Sequence, residues 1–351
     1  MPNNGEANPI RVLLVEDSPL QLHIIKSVLD ADPHIKVIGT AVNGAEALIL
    51  LPSLKPDVIC TDYHMPVMDG LEFIQKAVKV YPCPILVLSI SVQPDQVDNI
   101  FKLLSAGAID VMAKPRATGG VIGKEDGTKL VEKIRIVNGV KYIKRKNGQS
   151  LPAPSPQCLV PRIVAPKMIV IGASTGGPQA LEIILPALKQ NFSIPIVCIQ
   201  HISHGFLAGM LTWLGGMTSL KIEEAKEGGL PLAGHLYFPP EGMHLSFSEQ
   251  GAFVLSPPKS GDIYCPSIDA LFLSTSQVYG GQVTAVILSG MGKDGADGMK
   301  AIFDAGGDTV AQDEESSIIF GMPLAAINLG AVCNVLDPVD IAKYLNGLPS
   351  R

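Results

Sequence analysis

Short apolar runs, each ending in a polar or glycine-rich turn and followed by a stretch of helical periodicity, recur along most of this chain. A continuous apolar run suits a strand buried on both faces. Parallel strands buried in this way need crossover helices between them, so the alternation confines the chain to layered α/β architecture. RVLLVED (11–17), IKVIGTA (35–41), DVICTD (57–62), PILVLSI (84–90) and IDVMA (109–113) read as strands. GAEALILL, LEFIQKAVKV, QVDNIFKLLSAG and TKLVEKIRIV read as helices between or after them, and Ser18-Pro19 supplies an N-cap and first-turn proline for another. The pattern predicts a doubly wound, five-stranded parallel sheet over residues 1–137.

The polar residues of this first half fall at predicted strand ends. Glu16 and Asp17 close the first strand, Asp62 the third, Ser89 the fourth, and Lys114 follows the fifth. Any one of them alone reads as a solvated turn residue. Five at four strand ends are harder to dismiss: the clustered carboxylates form a hard-oxygen site suited to Mg²⁺ bridging to a phosphate, with Asp62 as the phosphate acceptor.

The second half is organised around MIVIGASTGGP (168–178), in which an apolar strand runs into a glycine turn and a proline suited to a helix start. Gly172, Ser174 and Gly176 give GxSxG at a strand-turn-helix corner, where small neighbours leave a hydroxyl clear of the sheet and backbone N–H groups stand near an oxyanion. A serine needs a base, and the base an orienting carboxylate. PIVCIQH places His201, and TAVILSGMGKDG places Asp294, at comparable corners. Taken singly, GASTGGP also fits an anion-binding turn, His201 a core histidine and Asp294 an N-cap. Jointly they fit a triad in the order Ser, His, Asp, which differs from the order in α/β-hydrolases.

LYFPPEGMHLSF and AFVLSPP read as strands of an antiparallel hairpin beside the parallel sheet, and PSIDALFLSTSQVYG as a helix with Ser267 near its start. VTAVILSG, DGMKAIFDAG and DTVAQD continue the alternation, and two short helices around NLG and DPVDIAKYL close the chain. The expected organisation is a first α/β domain (1–137), a basic and proline-rich linker (138–167) and a second, mostly parallel α/β domain (168–351).

A formal charge of -6 gives no reason to expect nucleic acid as a partner, and the basic run Lys141, Lys144, Arg145 and Lys146 beside the linker reads as solvated. Cys60, Cys83, Cys158, Cys198, Cys265 and Cys333 are scattered, with no metal-ligand spacing, and read as reduced thiols. MPNNGEANPI lacks the features of a signal peptide, and no apolar run approaches the ~20 residues that span a bilayer. The expectation is a cytoplasmic protein without direct membrane insertion.

VEDSP, TDYHMPVMDG, LSI and AKP resemble a response-regulator receiver domain over roughly residues 10–137. GASTGGP, QH followed by GF, PPEGMHL, CPSIDALF, LSGMGKDGADGM and AQDEESSIIFGMPLAA resemble the catalytic domain of the CheB family of chemotaxis protein-glutamate methylesterases. The receiver resemblance implies a flavodoxin-like fold in which Asp62 takes phosphate from a histidine kinase. Glu16, Asp17, Asp62 and the backbone carbonyl of His64 would hold Mg²⁺, and Ser89 and Lys114 would contact the phosphoryl group. The CheB resemblance implies Ser174 as nucleophile, His201 as general base and acid, Asp294 as orienting carboxylate, and backbone near Thr175 and Met291 at the oxyanion, with no cofactor for the esterase chemistry. The implied substrate is a glutamyl γ-methyl ester on the cytoplasmic domain of a methylated chemoreceptor, with receptor glutamine deamidation as a second reaction. The receiver would cover the catalytic crevice until phosphorylated. The competing expectation is a signalling adaptor whose second domain only binds. Three positions depart from the families' usual residues: Val111 at a switch aromatic, Ser203-His204 for two prolines, and Trp213 for an arginine.

Overall fold

The computed structural model describes residues 8–89, 97–115, 117–118, 121–140 and 165–349. The chain folds as two compact units, Met1–Tyr142 and Ile143–Arg351. Most of the linker, including the basic run and Cys158, lies outside the described residues, as does Ile90.

In the first unit the strands are β1 (Ile10–Val15), β2 (Ile35–Ala41), β3 (Val58–Asp62), β4 (Ile85–Ser89) and β5 (Asp110–Ala113). They form one sheet in the order β2-β1-β3-β4-β5, and every pairing is parallel. The helices are α1 (Pro19–Asp30), α2 (Gly44–Leu54), α3 (Gly70–Val80), α4 (Val97–Ser105) and α5 (Lys124–Asn138). Local chemistry fixes their starts. Ser18, Asn43 and Asp69 each accept a hydrogen bond from an amide in the first turn of the helix that follows, and Pro19 opens α1. Two short strands, β6 (Ala117–Thr118) and β7 (Val121–Ile122), form a small antiparallel ladder before α5.

The second unit is built on β8 (Met168–Ala173), β9 (Ile196–Gln200), β10 (Lys221–Glu224), β11 (His235–Phe238), β14 (Val283–Ile287), β15 (Asp308–Gln312) and β16 (Asn334–Leu336). These make a seven-stranded parallel sheet in the order β10-β11-β9-β8-β14-β15-β16. Between them run α6 (Gly177–Ile184), α7 (Leu207–Gly215), α8 (Ile268–Tyr279), α9 (Ala296–Asp304), α10 (Met322–Asn328) and α11 (Pro338–Gly347). β8, β9 and β14 are buried along their whole length, as strands covered on both faces must be.

The structure corrects one sequence expectation: LYFPPEGMHLSF does not act as a single hairpin arm. Its first part is β11, a parallel strand of the main sheet, and its second part, β12 (His244–Phe247), pairs antiparallel with β13 (Phe253–Ser256). Pro239-Pro240, neither of which has an N–H to donate to a ladder, separates the two.

Strand order reverses between β1 and β3 in the first sheet and between β8 and β14 in the second. At such a point the following loops diverge to opposite faces and leave a crevice beyond the strands' carboxyl ends. Both sets of polar residues stand at these crevices.

Candidate active site

In the first unit, Glu16, Asp17 and Asp62 bring carboxylate oxygens within 4.8 Å of one another. Lys114 reaches in from the end of β5, its Nζ 2.7 Å from Glu16 Oε2 and 2.7 Å from Asp62 Oδ2. Glu16, Asp62, Ser89 and Lys114 are buried, whereas Asp17 is exposed. Burial, only partly offset by the Lys114 ammonium, lifts the Glu16 carboxyl above its ordinary range, and the Asp62 charge adds to the effect. Ser89 sits beside Lys114 through the bond from the Lys114 amide to the Ser89 carbonyl (2.8 Å). Three hard oxygen donors and one fixed ammonium fit a divalent cation together with a phosphoryl group. Gly70 lets α3 start beneath this pocket, since a Cβ there would lie 2.6 Å from the Asp62 carbonyl. Val111 is a buried residue of β5.

In the second unit, Ser174 and His201 each follow the last residue of a strand, and those last residues, Ala173 and Gln200, are paired in register. The His201 amide donates to the Ala173 carbonyl (2.9 Å). Asp294 lies in the turn after β14, on the other side of β8. Its Oδ2 is 2.9 Å from His201 Nε2, which leaves Nδ1 as the ring nitrogen available to a serine hydroxyl. Asp294 is 4% exposed, and both its oxygens are engaged further. Oδ2 accepts from the Ile268 amide (2.8 Å), and Oδ1 accepts from the Asp269 amide (3.0 Å) and Ser267 Oγ (3.1 Å). Burial works to raise the Asp294 carboxyl, but the His201 hydrogen bond and the two amides outweigh it and hold the group below the ordinary carboxylate range. Asp294 therefore remains an anion beside the imidazole, and it caps α8 rather than the helix that follows it.

The glycines of the serine corner have specific reasons. Gly176 has φ +88°, and a Cβ there would meet Ser289 Oγ at 2.5 Å. At Gly290 a Cβ would come within 2.7 Å of Ser174 Cβ. Ser289 ties the neighbouring backbone together: its carbonyl accepts from the Ser174 amide (3.0 Å) and its Oγ donates to the Thr175 carbonyl (2.8 Å). The Ser174 amide is thus committed to the sheet and is not an oxyanion donor. Thr175 is buried, and Met291, directly after Gly290, is exposed.

Ser267, expected near a helix start, is the N-cap of α8 and also a partner of Asp294. Other contributors carry no strong local signal. Tyr264 stacks on His201, with ring centroids 5.0 Å apart and planes 3° from parallel. Asp269 accepts from the Gly298 amide of α9 (2.7 Å), so α8 and α9 exchange capping carboxylates, Asp294 for one and Asp269 for the other. Burial pushes Asp269 up to about 6, with the charges of Asp294 and Asp297 adding to it. Ser203-His204 lies in the turn before α7. His204 is exposed and pairs with Glu241 (3.1 Å), whose other oxygen accepts the Gly205 and Leu207 amides at the start of that helix. Trp213 is buried in α7 and so forms no part of an exposed recognition surface.

An acidic pocket with a buried lysine on one parallel sheet, carried on the same chain as a serine, an imidazole and a carboxylate at the switch point of another, marks a two-domain α/β protein of the receiver-linked class. The profile of CheB methylesterase matches residues 169–345, and that of the response regulator receiver domain matches residues 12–124. The protein-glutamate methylesterase/protein-glutamine glutaminase of Nitrosospira multiformis is 38% identical over 343 residues, 97% of each chain. A second protein of that name, from Anaeromyxobacter dehalogenans, is 40% identical over 344 residues, 98% of each. The crystal structure of the Thermotoga maritima CheB methylesterase catalytic domain, 35% identical, covers 53% of this chain and all of its own with a TM-score of 0.51. The chain belongs to the CheB methylesterase family, joined to a response-regulator receiver.

Proposed function

We propose that the protein is a phosphorylation-activated serine esterase that hydrolyses glutamyl γ-methyl esters of a chemoreceptor's cytoplasmic domain, with receptor glutamine deamidation as a second reaction. The observation that carries this reading is the 2.9 Å pairing of His201 with a buried, fully hydrogen-bonded Asp294, at the strand ends next to Ser174.

Ser174 Oγ attacks the ester carbonyl while His201 Nδ1 takes its proton. Asp294 keeps the Nε2 proton in place and stabilises the imidazolium without accepting the proton. Backbone near Thr175 and Met291 stabilises the oxyanion. His201 then protonates the leaving methoxide. Methanol departs, and water, activated by the same imidazole, releases the glutamate carboxylate from the acyl-enzyme. With glutamine the leaving group is ammonia.

Control comes from residues 1–137, through the linker 138–167, to the catalytic residues 168–351. Asp62 accepts phosphate from a histidine kinase, with Ser89 and Lys114 contacting the phosphoryl oxygens. Glu16, Asp17, Asp62 and the His64 carbonyl would hold Mg²⁺, which would supply positive charge to offset that of the phosphoryl group. Phosphorylation shifts a population between states of low and high esterase activity. No described helix is long and apolar enough to cross a membrane; the protein is proposed to work in the cytoplasm on receptor tails.

Ser174→Ala tests the catalytic half. It should abolish methanol release from methylated receptor membranes while folding and phosphorylation persist. Release at the wild-type rate from this variant would refute the assignment.

A further inference from the structure

The backbone ladder between β8 and β9 ends with the bond from the His201 amide to the Ala173 carbonyl, which leaves the Ser174 and His201 carbonyls beyond it. A side chain takes over at that point. Gln200, the last residue of β9 and 4% exposed, turns its amide under the turn and donates both N–H bonds, to the Ser174 carbonyl (2.8 Å) and to the His201 carbonyl (2.8 Å). The orientation of the amide is fixed by these partners, because the flipped form would set its oxygen against two carbonyl oxygens. Its Oε1 is buried with no hydrogen-bond partner among the described residues. It occupies space that Gly177 leaves open: a Cβ at that position would lie 2.2 Å from Oε1. An orphaned buried acceptor is a cost to the fold, which the two donated bonds must offset.

We infer that Gln200 is a positioning residue, whose single side-chain amide locks the backbone of the nucleophile to the backbone of the base and so sets the approach of Ser174 Oγ to His201 Nδ1. The inference rests on the catalytic roles proposed for Ser174 and His201. Gln200 touches neither reacting atom. It acts by holding together the two residues that do, at the first step where the sheet no longer does so. Proton transfer and attack are steep functions of separation, and a misplacement near 1 Å costs about 100-fold in rate.

The test uses the full-length protein, with acetyl phosphate and Mg²⁺ present, and a fluorophosphonate that labels activated serines. The Ser174 Oγ–P bond forms, the P–F bond breaks, fluoride leaves and the hydroxyl proton passes to His201. Gln200→Met keeps the side chain's length without a donor, and Gln200→Glu keeps its shape while replacing donors by a carboxylate. Both should still reach full labelling, with rate constants lower by about tenfold to 100-fold, the loss being larger for Glu. The rate constant is read on the folded fraction alone, so partial misfolding lowers the endpoint without imitating the effect. Rate constants within twofold of wild type, or a loss carried wholly by the endpoint, would overturn the inference. Ser174→Ala separates the two levels: labelling that survives there removes the assignment beneath the inference, whereas labelling lost there but unchanged in both Gln200 variants removes only the role of Gln200.

Discussion

Asp294→Asn is the substitution whose consequences the geometry defines most closely. The two carboxylate oxygens accept four hydrogen bonds, and each oxygen faces one backbone N–H that cannot turn away, from Ile268 on one side and Asp269 on the other. An amide in this place must set its NH₂ against one of them. If it faces Asp269, Ser267 Oγ can rotate to accept, but the Asp269 amide loses its partner. If it faces Ile268, His201 must also change tautomer, which puts a proton on Nδ1 and removes the base. Either way an N–H is stranded, buried at Ile268 or part-buried at Asp269, at a stability cost of about 1–3 kcal/mol. The catalytic cost is larger. Unit charges 2.9 Å apart interact by about 6 kcal/mol at an effective dielectric near 20. Losing this stabilisation of the imidazolium corresponds to a kcat about 10⁴-fold lower, the size seen when a triad aspartate elsewhere is replaced by asparagine. The assay is methanol release at saturating substrate, with thermal unfolding of the same samples. A variant that folds and keeps kcat within tenfold of wild type would refute the orienting role of Asp294.

Other substitutions report on separate parts of the structure. Asp269 is raised to about 6 and so holds a proton in the folded state over a range where the unfolded chain has lost it, which means its contribution to stability declines as pH climbs. Asp269→Asn, neutral throughout and still able to accept from Gly298, should raise Tm relative to wild type by an increment that grows from about pH 4 to pH 6 and then levels; a pH-independent difference would contradict the burial argument. Glu241→Ala removes the acceptor for the Gly205 and Leu207 amides and should destabilise the catalytic unit by about 1 kcal/mol, as cap deletions do, measurable by urea denaturation. Gly290→Ala places a Cβ 2.7 Å from Ser174 Cβ and 2.3 Å from Met322 Sδ. It should reduce serine labelling at least about tenfold through displacement of the nucleophile, and unchanged labelling would show that the corner yields.

Sequence patterning reaches far into this protein because a parallel strand buried on both faces is apolar over most of its length, as RVLLV, VICTD, MIVIG, IVCIQ and VTAVI are. The same physics places polar residues where each run stops, which is why Glu16, Asp62 and Lys114, and Ser174, His201 and Asp294, could be picked out as sets although each alone has an ordinary reading. Strands outside this regime are less legible. β10 (KIEE) has half-buried or exposed positions only, and β16 has three residues, too few for a period. β11 was legible as a strand but not in its partner, because a short apolar segment before Pro239-Pro240 suits a parallel neighbour as well as a hairpin. The surroundings of the triad are least legible of all. That Asp294 caps α8, that Tyr264 covers His201, and that Gln200 bridges two carbonyls depend on contacts between residues as many as 63 positions apart, and no local pattern records them.

Methanol release from methylated receptor membranes, measured with and without acetyl phosphate plus Mg²⁺ for the wild type and Asp62→Asn, tests the link between the two halves most directly. The account predicts release that rises with the phosphodonor in the wild type, and basal release with no rise in Asp62→Asn. An equal rise in both proteins, or no release from wild-type protein that is folded and demonstrably phosphorylated, would contradict it.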